Sequence, residues 1–272
     1  MSYVLEAAWQ WFWSSSTLTR LAVVDFQVQW GLWAVASLMK TEKFYDLAGS
    51  ATYILLAYLN YKWNGTGHPR QSIQTGCITI WAFRLGMFLF TRVMKSGHDR
   101  RFKEALQQPS LLWVFWTLQG IWVLVTLLPS LLVVLSPRQR PIGTRDYVGW
   151  GIWTMGFLVE VVADYQKTAF RNNPANKDKF INSGLWSLSR HPNYFGEVLL
   201  WFGLYISASS TFSGWEYLTI LCPLMDYLLI TKISGIPMLE TYGIKKWGSS
   251  PQYQAYIKNT PALVPFIGSV ST

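Results

Sequence analysis

The sequence has little charge for its length and almost no cysteine. Charged residues make up 14% of its 272 residues, about half of the share in a typical soluble domain. The two cysteines, Cys77 and Cys222, lie in apolar stretches and form no spaced set with histidines. A disulfide framework and a structural zinc site are therefore excluded, and no metal is expected. This composition excludes disordered and collagen-like proteins, and no internal repeat or low-complexity segment stands out.

Apolar and aromatic residues are abundant instead. Hydrophobic residues account for 51% of the chain and aromatic residues for 17%, with 16 Trp, 14 Tyr and 15 Phe. Hydropathy predicts seven apolar segments, each close to the length that crosses about 30 Å of hydrocarbon. We therefore expect an all-α polytopic membrane bundle of about seven helices, with six or eight as alternatives because the second and fifth segments are short. The predicted spans are 18–38, 44–61, 72–94, 111–135, 147–163, 194–212 and 215–236.

The distribution of Lys and Arg predicts the orientation in the bilayer. Fifteen of these residues lie on the side of loops 39–43, 95–110 and 164–193 and of the carboxy-terminal tail, and six lie on the other side. Because cytoplasmic loops are enriched in positive charge, the carboxy terminus is predicted to be cytosolic and the amino terminus lumenal or outside. This asymmetry explains most of the net charge of +9. A nucleic-acid partner is not expected, since the aromatic residues lie in the spans.

The first 17 residues predict a segment at the membrane surface. They contain a cluster of Trp and Phe but lack the basic region of a signal peptide. Aromatic side chains favour the boundary between water and lipid. The residues of this cluster are Trp9, Trp11, Phe12 and Trp13.

Several charged residues lie inside the predicted spans. Placing an ionisable group in the bilayer costs free energy, so each such residue is first interpreted as a functional one. Asp25, Arg84 and Glu197 lie deepest by the predicted boundaries. An alternative for the first two is a buried ion pair that orients helices. Asp226 is another such residue, with a structural and a functional interpretation equally open.

The end of the fifth span carries charges at helical spacing. Glu160 and Asp164 are four residues apart, and so are Lys167 and Arg171, which places each pair on one helix face. Pro174 predicts that the helix ends near residue 171. Two neighbouring cations repel each other unless an anion lies between them, and phosphate is the natural guest. The alternative is attraction to anionic lipid head groups.

A polar run, SRHPNYFGE over residues 189–197, leads directly into the sixth span. It places a cation, an imidazole, an amide and a phenol within five residues. Pro192 is predicted to open the next helix, and Gly196 leaves room for a flat ring or another backbone. Because an interfacial cap explains only one or two of these residues, we expect a ligand site. Its members are Arg190, His191, Asn193, Tyr194 and Glu197.

Together these motifs resemble the steroid 5-alpha-reductase-like membrane proteins, in the branch known as domain of unknown function 1295. The resemblance rests on SRHPNYFGE preceded by DYQK-x3-R and GLW, and on WAFRLGMFLFTR and GHDRRF around the third span. It extends to SGIPMLE-x6-WG-x3-QYQAY-x4-P in the tail. Sterol C14- and C7-reductases and isoprenylcysteine carboxyl methyltransferases share the RHPNY-like motif and the Y-x4-P tail.

The resemblance implies an all-helical membrane enzyme of the endoplasmic reticulum whose carboxy-terminal half binds NADPH from the cytosol. It divides a single membrane domain into substrate-side helices over 1–135 and a cofactor-binding half over 136–272. Lys167 and Arg171 are implied to meet the adenosine phosphates. The other implied cofactor residues, for ribose, diphosphate or nicotinamide amide and for closure of the site, are Asp164, Trp186, Arg190, His191, Asn193, Tyr194, Glu197, Glu240 and Tyr256.

The amino-terminal half departs from the family pattern. Steroid 5-alpha-reductases carry Y-x2-R, whereas this chain has Trp81-x2-Arg84. An indole N–H is a hydrogen-bond donor only. The implied reaction is hydride transfer to an activated C=C bond of a lipophilic substrate (a sterol, an enone lipid or an isoprenoid) that enters from the bilayer. The proton would come from a group near Asp25, Tyr53, Tyr58 or Trp81, held by Arg84.

Two alternatives remain at this point. The first is a methyltransferase acting on a lipid or a prenylated thiol with S-adenosylmethionine, which the RHPNY motif permits. The pair Lys167 and Arg171 opposes it, because S-adenosylmethionine has no phosphate. The second is a non-catalytic scaffold or lipid-binding protein that keeps the cofactor pocket for stability. The sequence predicts no oligomeric state.

Overall fold

The computed structural model describes residues 2–138 and 140–267, and regular structure within these ranges is helical throughout. The chain forms two compact units, an amino-terminal unit Met1–Gln139 and a carboxy-terminal unit Arg140–Thr272. In both, helices of different lengths are joined by turns and loops. The prediction of an all-α membrane bundle is confirmed.

Within residues 2–138, the amino-terminal unit contains five helices. Four of them coincide with the first four predicted spans, and the short first helix carries the aromatic cluster, with Trp9 and Trp11 exposed. Pro69 stands at the start of the fourth helix, where its missing N–H costs nothing. The helices are α1 Ser2–Ser14, α2 Thr17–Met39, α3 Tyr45–Asn64, α4 Pro69–Ser96 and α5 Pro109–Leu135, with 3₁₀ turns at Arg100–Phe102 and Ala105–Gln107.

Hydrogen bonds between buried polar side chains join α3, α4 and α5. The Tyr53 hydroxyl lies 2.6 Å from Thr126 Oγ1, and Gln74 Nε2 donates to Ser130 Oγ at 3.0 Å. Asn60 Nδ2 donates to the carbonyl of Leu131 at 3.1 Å. In hydrocarbon, polar groups must find partners within the protein, so these bonds hold the helices together where water cannot compete.

The GHDRRF motif closes one end of the amino-terminal unit. Gly97 ends α4 with a φ of 80°, which glycine adopts without strain. Arg101 Nη2 lies 2.8 Å from both Asp46 Oδ2 and Asp99 Oδ2. Phe102 is only 1% exposed and packs against Tyr45. The described members of this motif therefore have a structural role.

Over residues 140–267, the carboxy-terminal unit contains five helices and several tighter turns. The helical extension predicted beyond residue 163 is confirmed, and Pro192 opens a helix as predicted. The seventh predicted span is not one regular helix, since it passes through 3₁₀, α and π geometry. The helices are α6 Thr144–Asn172, α7 Pro192–Ala208, α8 Leu221–Leu228, α9 Ile236–Trp247 and α10 Pro251–Asn259; the turns are Pro174–Asn176, Gly184–Ser187, Gly214–Ile220 and Leu229–Ile233.

Glycines let the backbones of α6 and α7 touch. A Cβ at Gly156 would lie 2.6 Å from the carbonyl oxygen of Gly196, and a Cβ at Gly196 would lie 2.5 Å from that of Gly156. Gly149 and Gly203 make the matching contact seven residues away on each helix. Small residues allow close helix approach in membranes. The room that Gly196 leaves is therefore filled by backbone.

Among the described helices, four segments have the length and apolar composition to cross a membrane. They are Thr17–Met39, Pro69–Ser96, Pro109–Leu135 and Gly214–Trp247. With its 17 residues, α7 lies at the lower limit for a span. The chain is therefore an integral membrane protein.

Candidate functional site

One face of α6 changes along its length from buried carboxylates to progressively more exposed cations. Glu160 and Asp164 are 2% and 4% exposed, Lys167 is half-buried, and Arg171 is exposed near the helix end. The four residues recur at helical spacing, as predicted. A ligand lying along this face would place its anionic part at the open end and its polar, uncharged part deeper.

The GLW motif forms a platform beside this face. Trp186 Nε1 donates to the carbonyl of Ala163 at 3.0 Å, and Leu185 N donates to Gln166 Oε1 at 3.0 Å. Gly184 has a φ of 61°, in the left-handed region that favours glycine. The ammonium of Lys167 lies 4.4 Å from the centre of the Trp186 ring. This cation–π contact fixes where the lysine charge is presented.

Arg190 binds the carboxy-terminal tail. Its Nη1 donates to the carbonyls of Ile257 and Thr260, each at 2.7 Å, and its Nε lies 3.1 Å from Glu240 Oε1. Its backbone N–H donates to the carbonyl of Pro261 at 2.9 Å. All three bonds of this guanidinium are made within the protein. Arg190 therefore has a structural role, which is to hold the motif against the tail, whether or not it also contacts a ligand.

Replacing Arg190 with Ala should lower the free energy of unfolding by about 2 kcal/mol or more, because it leaves buried carbonyls without donors. The matched change Arg171→Ala, at an exposed position, should have little effect on stability. Thermal unfolding of both variants, with limited proteolysis of the tail, measures the difference. Equal stability of the two variants would contradict the role given to Arg190.

His191 lies beneath the same tail with one ring nitrogen bonded. Its Nε2 is 2.6 Å from Glu240 Oε1, while Nδ1 is buried and has no hydrogen-bond partner among the described residues. Burial lowers the pKa of this imidazole more than the Glu240 carboxylate raises it. The ring is therefore neutral, with Nε2–H as donor and Nδ1 as an open acceptor. An N–H group of a ligand would satisfy it.

The lowered pKa of His191 predicts a loss of stability in acid. Above about pH 6.5 neither state carries the proton; below it the unfolded chain binds a proton that the folded chain resists, so unfolding becomes easier as pH falls. The variant His191→Gln should show a flatter profile between about pH 7 and pH 5. Chemical denaturation at each pH measures both slopes. Parallel profiles for the two proteins would show that His191 does not control the pH dependence of stability in this range.

Asn193 and Tyr194 occupy the first turn of α7, as predicted. Both are half-buried, and the Tyr194 ring stacks on His191 with centres 5.8 Å apart. No described residue hydrogen-bonds the Asn193 amide. Glu197 follows one turn later and is also half-buried.

The tail also contacts the platform formed by the GLW motif. The hydroxyl of Tyr256 donates to the carbonyl of Trp186 at 2.6 Å, which fastens the tail to the platform.

Asp226 is a candidate that the predicted site left out. It is fully buried on α8, and neither carboxyl oxygen has a hydrogen-bond partner among the described residues. Glu160 is its electrostatic neighbour. The signal in the sequence was an aspartate inside an apolar segment, but only the fold shows that it lies near Glu160 of α6.

In the amino-terminal unit, Asp25 is fully buried in a polar cluster. Its Oδ1 accepts a hydrogen bond from Gln29 Nε2 at 3.1 Å, and its Oδ2 has no partner among the described residues. Gln29 also lies 3.4 Å from Thr52 Oγ1 and accepts from Gln119. The alternative ion pair with Arg84 is therefore not formed.

The structure brings two other predicted catalytic residues together. The rings of Tyr53 and Trp81 meet edge to face, 5.1 Å between centres, and both are buried. Arg84 is half-buried and lies over the Phe88 ring at 5.3 Å. Tyr58 is 53% exposed and faces outward, with the Lys62 ammonium 5.8 Å from its ring centre. Tyr58 is thus not brought to Tyr53 and Trp81.

These features define a class: an all-helical integral membrane protein with a polar, tail-covered site at the ends of long helices. The chain belongs to the family described as "Protein of unknown function (DUF1295)", whose model matches residues 32–260. This family is a steroid 5-alpha-reductase-like branch, which confirms the resemblance seen in the motifs.

Two curated relatives are similar over parts of the chain. One is the "Probable O-methyltransferase ustE" of Ustilaginoidea virens, 29% identical over 34% of this chain and 36% of that protein. The other is the "Uncharacterized protein C594.04c" of Schizosaccharomyces pombe (strain 972 / ATCC 24843), 23% identical over 58% of this chain and 56% of that protein. The chain thus spans about a third and somewhat over half of their lengths. No solved structure matches.

Proposed function

We propose that the chain is an NADPH-dependent membrane oxidoreductase that reduces an activated C=C bond of a lipophilic, steroid- or sterol-like substrate. The observation that carries the proposal is the α6 face, which presents Lys167 and Arg171 at its open end. Two cations four residues apart suit the phosphates of a dinucleotide. Family membership supports an enzyme of the membrane.

The residues present fit a dinucleotide at both ends. Lys167 and Arg171 would hold the adenosine phosphates, among them the 2′-phosphate that distinguishes NADPH from NADH, with the platform of Trp186 fixing the lysine. At the other end, the unpartnered Nδ1 of His191 would accept an N–H of the nicotinamide amide, and Asn193 offers a donor and an acceptor. Tyr194, Glu197 and Asp164 would bind ribose or diphosphate, while Arg190, Glu240 and Tyr256 hold the tail in place.

NADPH, when bound, would supply the hydride. Asp25 would hold a proton at its unpartnered Oδ2 and donate it to the substrate, and the Trp81 indole would polarise the substrate oxygen as charge develops. The buried pair of Tyr53 and Trp81 would exclude water from that region. The substrate would enter from the bilayer.

The test is to incubate the purified protein with NADPH and a panel of enone lipids, sterols and isoprenoids. Equimolar NADPH oxidation and saturated product are expected. Asp25→Asn should lower the turnover about a hundredfold with NADPH affinity unchanged. Binding of NADPH without consumption of any substrate would favour the non-catalytic alternative, and methyl transfer from S-adenosylmethionine would favour the next candidate.

A second candidate is an S-adenosylmethionine-dependent methyltransferase acting on a lipid or isoprenylcysteine. Two observations favour it: the similarity to the probable O-methyltransferase of Ustilaginoidea virens, and the buried carboxyls of Asp226 and Glu160, which suit a positively charged group. S-adenosylmethionine carries such groups but no phosphate. Because S-adenosylmethionine offers no phosphate to Lys167 and Arg171 on α6, we rank the methyltransferase below the reductase.

We further propose the endoplasmic reticulum as the location in a eukaryotic cell, with the carboxy terminus in the cytosol. The charge asymmetry across the predicted spans supports the orientation. The cofactor residues of the carboxy-terminal unit would then face the NADPH of the cytosol.

A further inference from the structure

A cavity of about 490 Å³ opens at one end of the amino-terminal unit. It lies between the end of α2, the connection to α3 and the turns that follow α4. Its lining includes Met39, Lys40, Glu42, Lys43, Lys103 and Leu106. The cavity is large enough for a small ligand group, and none of the predicted catalytic or cofactor residues belongs to it.

Three lysines at the cavity lack partners. Lys40, Lys43 and Lys103 are exposed, and over the described ranges none of their ammonium groups forms an ion pair or a hydrogen bond. Lys40 stands at the end of α2 with a φ of 48°, and only its backbone N–H is bonded there. The lysine charges are therefore available to a ligand.

The two carboxylates that line the cavity, those of Glu42 and Asp99, are already engaged. Glu42 is buried, and its Oε1 accepts a hydrogen bond from the backbone N–H of Asp99 at 2.8 Å. Asp99 is paired with Arg101 at 2.8 Å. Burial would raise the Asp99 pKa, but the hydrogen bonds and charge of Arg101 hold it below its ordinary value. The uncompensated charge around the cavity is positive.

Exposed apolar side chains stand on the two helix ends that lead into the cavity, and one of them, Met39, lines it. Leu38 and Met39 at the end of α2 are 86% and 66% exposed, and Met94 near the end of α4 is 52% exposed. Since α2 and α4 both qualify as membrane spans, their ends lie where hydrocarbon meets head groups. A ligand here would meet positive charge and apolar side chains together.

We infer that this cavity binds the phosphate head group of an anionic membrane phospholipid, with its acyl chains against Leu38, Met39 and Met94. Lysine recognises phosphate as a point charge. A general excess of lysine on this side of the membrane would not by itself place three unpaired ammonium groups around one cavity. This site is additional to the proposed cofactor and substrate sites and does not depend on them.

The test uses the purified full chain in uncharged detergent, titrated with phosphatidic acid or phosphatidylcholine and observed by native mass spectrometry. One phosphatidic acid per chain is expected to bind in preference to phosphatidylcholine. The triple change Lys40→Gln, Lys43→Gln and Lys103→Gln should weaken phosphatidic acid binding about a hundredfold, at roughly fivefold per lysine. The matched control, Lys179→Gln, Lys245→Gln and Lys258→Gln, removes the same charge from exposed positions elsewhere and should change little.

Four results would overturn the inference. Equal losses in the two triple variants would show unspecific charge attraction, and equal binding of phosphatidylcholine would show that the phosphate charge is not recognised. Displacement of the lipid by glycerol 3-phosphate at similar concentration would indicate a soluble phosphate compound. Displacement by NADPH, with weaker NADPH binding in the first variant, would assign the cavity to the cofactor. Thermal unfolding of both variants should match the parent, since all six lysines are exposed.

Discussion

Replacing Gly156 with Leu is expected to destroy the packing of α6 against α7. Even a Cβ at this position would lie 2.6 Å from the carbonyl oxygen of Gly196 and 2.7 Å from the backbone nitrogen of Leu200. Backbone atoms cannot rotate away as side chains do, so the helices must separate. We expect a loss of about 5 kcal/mol or more in the free energy of unfolding, at the upper end for single substitutions.

Gly151 provides the matched control on the same helix. It is exposed, and a Cβ there would meet no atom within 4 Å. Gly151→Leu should leave stability unchanged or raise it slightly, because leucine is the better helix former. Thermal unfolding and the yield of folded protein in detergent measure both variants. Similar behaviour of the two would show that close contact between α6 and α7 is not required.

The second large effect concerns the cofactor. The double change Lys167→Ala and Arg171→Ala should weaken NADPH binding on the order of a thousandfold, if each cation forms a charge-assisted bond worth about 2 kcal/mol. NADH lacks the 2′-phosphate and should lose much less. Isothermal titration of each variant with both nucleotides measures the difference.

A matched double variant, Lys245→Ala and Lys258→Ala, removes the same charge from exposed positions in the same unit. It should bind both nucleotides as the parent does. Equal losses for NADPH and NADH in the Lys167/Arg171 variant would reject the assignment of these cations to the 2′-phosphate. Because Arg171 is exposed and Lys167 half-buried, the variant should remain folded.

Much of the fold could be predicted because hydropathy and helix signals act locally. Apolar length fixed α2 and α5 to within a few residues, and Pro192 marked the start of α7. The irregular geometry of Leu229–Ile233 was not predicted, because a π turn depends on packing rather than on composition. Likewise, Gly196 was open to two interpretations until the structure placed the backbone of α6 against it.

The residues of the candidate site could be proposed from the sequence, but the contacts that each of them makes could not. Spacing alone placed Lys167 and Arg171 on one face of α6. No local pattern shows that Arg190 binds carbonyls near residue 260, because that contact joins segments 67 to 70 residues apart. For the same reason, the sequence could not show that His191 shares Glu240 with Arg190, or that Tyr58 faces outward.

The central claim is that the carboxy-terminal unit binds a phosphorylated dinucleotide. The most direct measurement is a titration of the purified protein with NADPH and, separately, with S-adenosylmethionine, following tryptophan fluorescence and thermal unfolding. NADPH at about a hundred times its dissociation constant should stabilise the folded protein by about 2.7 kcal/mol, with no response to S-adenosylmethionine. A response to S-adenosylmethionine and none to NADPH would contradict the reductase account and favour the methyltransferase in its place.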